Sequence, residues 1–194
     1  MSAVLQPLAK SGNREQIFHS LLATKDTDPN QQWLAKILAS WMTGKSVLPD
    51  YLGLEPAQFS SMLKIWFPES VVPQRAVSGS KLDYERMLEK EDLIRLLHGF
   101  SLKQDEENDW VIGLIVSACL GSDHLWQDIG FWQRSDLTSF LSYNFPELAQ
   151  RNSKDMKWKK FIYKQLCEAE GLYLCRAPSC EVCIDYSVCF GSEE

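Results

Sequence analysis

The sequence predicts an all-α fold, a helical bundle-like body with a cysteine-rich metal-binding loop at its C-terminal end. Three observations predict it. Apolar residues recur at three- and four-residue spacing along most of the chain. Pro, Gly, Asp and Asn punctuate these stretches where helices would start and stop. No period-two alternation flanked by hairpin turn signals appears, which disfavours a sheet. The 194 residues read as a single domain, with 1–171 as the helical body and 172–194 as the cysteine segment.

The elements follow in order. Asp28-Pro29 opens a helix whose stripe is Trp33, Leu34, Ile37, Leu38 and Trp41, closed by Gly44 and Pro49. Pro56 opens the next, with Phe59, Met62, Leu63, Trp66 and Phe67 on its apolar side. Pro68 and Pro73 break the chain, and residues 71–80 read as a loop. A long helical pattern is expected from Leu82 through Met87, Leu88, Ile94 and Leu97 to Phe100. Asp105-Glu106-Glu107 suits a helix N-terminus and leads into Trp110, Ile112, Ile115, Val116 and Cys119, all expected to be buried. Asp123 is a candidate cap for the stretch that begins at His124. Two further helices are expected, from Asp136 to Phe145, stopping near Pro146, and from Lys157 to Gly171.

Composition bounds the function. The formal charge is -6, which argues against a dedicated nucleic-acid binder, whose footprint is basic. No apolar run is long enough to span a bilayer. The run Met1-Ser2-Ala3-Val4-Leu5-Gln6-Pro7 lacks signal-peptide character, so a cytoplasmic location with reduced thiols is expected.

Under those conditions the cysteines carry the chemistry. Four of six fall in one short stretch, Cys175-x4-Cys180-x2-Cys183-x5-Cys189. Thiolates are soft ligands that suit zinc or an iron–sulfur cluster. A single C-x2-C pair flanked by unequal intervals fits a cluster better than the two short pairs usual in structural zinc sites. Zinc stays open, and disulfides are disfavoured by the expected compartment. Cys119 reads as an inert core thiol. Cys167, eight residues before Cys175, is either a core residue or a further contact to the metal centre.

Just upstream lies a basic stretch, Arg151, Lys154, Lys157, Lys159, Lys160 and Lys164. It reads either as a solvated helix face or as a guide for an oxyanion or an acidic partner, with Lys157, Lys159 and Lys160 as candidate contacts. His124 is a candidate metal ligand or a structural histidine. Gly44-Lys45-Ser46 looks like the end of a P-loop, but Ala39 stands where the earlier glycine is needed and a helix precedes it. No catalytic motif is found.

The run Asp155-Met156-Lys157-Trp158-Lys159-Lys160-Phe161, then Leu166-Cys167-Glu168, then Cys175-Arg176-Ala177-Pro178-Ser179-Cys180 and Cys189-Phe190-Gly191, closely resembles the NifQ family. So do Asp123-His124-Leu125-Trp126-Gln127-Asp128 and Arg134. The resemblance implies a molybdenum–iron–sulfur protein of nitrogenase cofactor assembly. It would process molybdate and donate molybdenum, acting with the NifEN scaffold and NifH as a donor rather than a turnover enzyme. Cys175, Cys180, Cys183 and Cys189 would hold an iron–sulfur cluster and molybdenum. Two other readings stand beside it. One is a zinc-stabilised helical interaction module. The other is a cluster-bearing DNA-repair glycosylase, for which the helix–hairpin–helix and the basic charge are missing.

Overall fold

A computed structural model describes residues 13–22, 28–68 and 82–170. Residues 71–80 and the cysteine segment, read above as loops, lie outside the described residues. Among the described residues the chain is helical throughout and contains no strand. The helices are α1 (Arg14–Leu21), α2 (Pro29–Met42), α3 (Pro56–Trp66), α4 (Lys90–Phe100), α5 (Glu106–Cys119), α6 (Leu125–Ile129), α7 (Arg134–Asn144), α8 (Pro146–Arg151) and α9 (Trp158–Glu170). None is long and apolar enough to cross a membrane.

Two of the predicted helix starts form where the sequence put them. Asp28 accepts from the Asn30 amide at 2.8 Å and Pro29 occupies the first turn of α2. Asp105 accepts from the Asn108 amide at 3.0 Å and starts α5. That helix is the centre of the body: Trp110, Ile112, Ile115, Val116 and Cys119 are all buried. It packs against α3, α4 and α6. Trp110 meets Trp66 of α3 edge to face at 5.2 Å, so the two indoles lock those helices together.

One expectation needs correction. The pattern from Leu82 to Phe100 is not one helix. Asp83 accepts from the Glu85 amide at 3.2 Å and closes a short turn at Tyr84–Arg86, so α4 begins only at Lys90. Met87 is buried and Leu88 is left 92% exposed, because the non-helical Met87 turns the chain between them. The expected stop near Pro146 holds, since α7 ends at Asn144, and Pro146 in addition starts α8. Proline forces Phe145 out of the helical region (φ -135, ψ 63), which breaks α7, and its own fixed φ suits the first position of the next helix.

The turn before α3 is unusual. Tyr51, Leu52 and Gly53 are all left-handed. The conformation persists because Leu52 is buried in the core and the Tyr84 hydroxyl meets Ser117 Oγ at 3.1 Å directly over Gly53. A Cβ at Gly53 would strike both groups.

The helix that leads into the cysteine segment is seated by the turn before it. Asn152 pairs with Met156 in both directions, its side chain donating to the carbonyl at 3.1 Å and accepting from the amide at 2.9 Å. Arg134 of α7 donates to Asp155 Oδ1 and to its carbonyl at 2.6 and 2.9 Å, holding Asp155 in a left-handed conformation. The Trp158 indole N–H then donates to Thr138 Oγ1 at 3.1 Å. The start of α9 is thereby tied to α7.

Candidate functional site

The four-cysteine set, Cys175, Cys180, Cys183 and Cys189, lies outside the described residues. Among the described residues no group of three or more His, Cys, Asp or Glu is placed to hold a metal ion. The two remaining cysteines differ sharply. Cys119 is a free, buried thiol whose acidity burial suppresses, pushing its pKa up to about 12. A metal ligand or nucleophile must be a thiolate, so Cys119 is the inert core residue that was expected. Cys167 is half-buried in the last turns of α9, with its sulfur engaged in a disulfide, so it is not an isolated core thiol.

The basic stretch does not form one open face. Lys159 is buried, on the same side of α9 as the core residues Ile162, Tyr163 and Leu166. Its ammonium donates to the Gly121 carbonyl at 2.9 Å, the Asp123 carbonyl at 2.9 Å and Asp128 Oδ2 at 2.6 Å. An ammonium has three N–H groups, so none is left for an incoming anion. Arg151 is paired with Glu147 at 2.6 Å and stacks over Phe100, and Lys164 lies 3.7 Å from Glu168. Lys157 and Lys160 are half-buried at the start of α9, and Lys154 is exposed. The oxyanion role read for Lys159 therefore gives way to an internal one.

Asp128 is the partner that makes this work. Its carboxylate is buried, accepting from Lys159 and, on Oδ1, from the Asp123 amide at 3.3 Å. Burial raises its pKa, against the pull of the adjacent ammonium. Its own carbonyl accepts from the Val47 amide and Ser46 Oγ, both at 3.0 Å, so the loop after α2 is pinned to the same point. Asp123 does not cap α6. That position is taken by His124, half-buried, with no side-chain cap bond, while Asp123 stays exposed and lends its backbone to the ion pair.

Gly121 makes room for the carboxylate. A Cβ there would fall within 3.0 Å of all three carboxylate atoms of Asp128. Gly121→Ala is expected to cost about 1–3 kcal/mol through overpacking. Thermal unfolding of the variant checks this; an unchanged midpoint would show that the carboxylate can move aside.

Asp128 and Gly121 were not singled out from the sequence. A signal was there: Asp128 sits between Leu125 and Ile129 on the apolar stripe of α6, where an acid must be paired. Lys159 on the stripe of α9 is the matching sign. What spacing does not reveal is that the two, 31 residues apart, meet.

The profile of the NifQ family matches residues 33–191. Protein NifQ of Azotobacter vinelandii is 40% identical over 182 residues, covering 88% of this chain and 93% of the relative. Protein NifQ homolog of Sinorhizobium fredii is 33% identical, covering 83% of this chain and 70% of the relative. Protein NifQ of Klebsiella pneumoniae is 31% identical, covering 84% and 99%. No solved structure matches the chain.

Proposed function

The chain belongs to the NifQ family, and from that premise we propose that it takes up molybdate and hands molybdenum on for assembly of the nitrogenase iron–molybdenum cofactor. One observation carries the reading: the family match runs to residue 191 and so takes in Cys175, Cys180, Cys183 and Cys189 together.

The donor set suits the cargo. Molybdate is a hard oxyanion that thiolates hold poorly until oxygen has been exchanged for sulfur or the metal reduced. An iron–sulfur cluster on the four cysteines would supply sulfide and reducing equivalents. The chain's own residues hold and orient. Lys157 and Lys160 bring positive charge to the start of α9, in an otherwise acidic protein, where an anion would approach. His124 is the described side chain that could add a ligand, and Cys167 would do so only with its disulfide reduced. Release would go to an acceptor of the assembly machinery, the NifEN scaffold with NifH. Zinc remains the second reading, because the one C-x2-C pair is also a zinc element.

Anaerobically purified protein is expected to be brown and to contain both iron and molybdenum. Metal analysis with absorption spectroscopy checks this. A colourless protein holding one zinc per chain would overturn the proposal in favour of the second reading.

A further inference from the structure

We infer that the outer side of α9, with the turn before it, is a docking face for an acidic surface of a partner protein. The inference goes beyond the metal reading above and does not rest on it.

With Lys159 turned into the body, the other lysines of the stretch fall into a row. Lys157, Lys160 and Lys164 are spaced three and four residues apart, which puts them on one side of α9, away from the buried Ile162 and Leu166. Two more cations lie at the start of the row. Arg134 of α7 donates to the Asp155 carbonyl and carboxylate, which brings it beside Lys154 and Lys157. Asp155 balances Arg134, and Glu168 stands 3.7 Å from Lys164. The starts of α7 and α9 are tied together here by Trp158 and Thr138, and both helix N-termini add positive potential. The face is cationic on a chain whose formal charge is -6.

Helix physics speaks against this arrangement. A helix N-terminus favours acids, and α1, α4 and α5 follow the rule with Glu15, Glu91 and Glu106 in their first turns. The first turn of α9 has no acid, and Lys157, Lys159 and Lys160 crowd its start. Lys157 with Lys160, and Lys160 with Lys164, are like charges at three- and four-residue spacing, which destabilises a helix. Lys159 offsets its position through three bonds to the body. Charges set against local preference in this way mark a surface shaped by binding rather than by folding.

The spread of the cations says what kind of anion they suit. Lys157 to Lys164 spans about 10 Å of helix, and Lys154 and Arg134 extend the row. A single oxyanion reaches only part of it, whereas carboxylates distributed over a folded surface match all of it. A nucleic acid is a poorer fit. Beyond about 8 Å at physiological salt only local charge is felt, so a duplex outruns the patch into the acidic remainder of the chain.

The test uses the full-length chain and a fluorescently labelled polyglutamate peptide, with binding read by anisotropy at low and at physiological salt. Lys157→Gln/Lys160→Gln/Lys164→Gln removes the row. Lys45→Gln/Lys64→Gln/Lys103→Gln removes the same charge from exposed positions elsewhere on the body. Wild type and the second variant are expected to bind alike, and the first roughly tenfold more weakly and with less dependence on salt. No binding by wild type, or a loss not confined to the row variant, would overturn the docking face. So would a duplex oligonucleotide that binds as tightly as polyglutamate, since the face would then hold any polyanion. Melting temperatures check that the variants fold. Should the row variant not fold, Lys154→Gln/Lys164→Gln, both exposed, is compared with Lys45→Gln/Lys103→Gln. Iron and molybdenum are measured on the same wild-type preparation. A chain that lacks both metals yet binds polyglutamate through the row keeps this face and loses the functional reading; a metal-loaded chain that ignores the peptide does the reverse.

Discussion

Lys159→Met is expected to lower stability by about 3–5 kcal/mol, because it leaves a buried carboxylate without its counter-charge. For a domain of this size that is a fall in Tm on the order of 10 °C. The loss has three parts: the ion pair itself, and the two carbonyls of Gly121 and Asp123 that lose their donor. The pH dependence separates the charge from the rest. Burial already holds the Asp128 pKa above its ordinary 3.8, and Lys159 opposes that rise. With the lysine gone the folded-state value climbs further. A carboxyl raised in the folded state contributes stability that is fully present below 3.8 and is lost as pH rises through the folded value. The variant should therefore lie closer to wild type at pH 5 than at pH 7.5. Denaturant titrations at the two pH values check this. A penalty that is the same at both, or larger in acid, would mean that the carbonyls and not the charge carry the effect.

The same pair shows where sequence reading stops. The helices that were legible, α2, α3, α5, α7 and α9, carry local signs: an apolar stripe at helical spacing and, for α2, α3 and α5, an Asp or Pro at the start. Leu82 to Phe100 shows the same stripe, yet Asp83 bonds to its own neighbour and splits the pattern. Here a local turn competes with the helix and wins. Pro146 stops α7 as read, because proline breaks helices, and it also begins α8, which the sequence reading did not anticipate. The helix α1 was not anticipated, since much of its stability comes from contacts far along the chain. Phe18 packs against Trp132 at 5.3 Å, and the Arg14 guanidinium lies 4.4 Å from the same ring. The cysteine ligands stand out in the sequence because their spacing is local. The ion pair that seats α9 does not, because a buried lysine looks like its exposed neighbours until its partner is known.

Cys183→Ala is expected to abolish iron and molybdenum retention while leaving the melting of the helical body nearly unchanged. Two physical facts set this expectation. A four-thiolate site that loses one ligand loses its closed coordination, and soft-metal affinity falls by orders of magnitude. The body, by contrast, has a core of its own: the continuous buried cluster runs from Leu21 to Leu166 and includes Trp110, Phe59, Phe140 and Phe145. Its stability should rest on apolar burial rather than on metal. Cys119→Ser gives the opposite pattern. A hydroxyl placed where a buried thiol packs among apolar side chains costs about 1–3 kcal/mol if it finds no partner, and metal content should stay at the wild-type level. Metal analysis and thermal unfolding of both variants together check the division of labour. If Cys183→Ala unfolds the helices, metal is a structural staple and the zinc-module reading gains. If Cys119→Ser loses metal at full stability, the buried thiol belongs to the site after all.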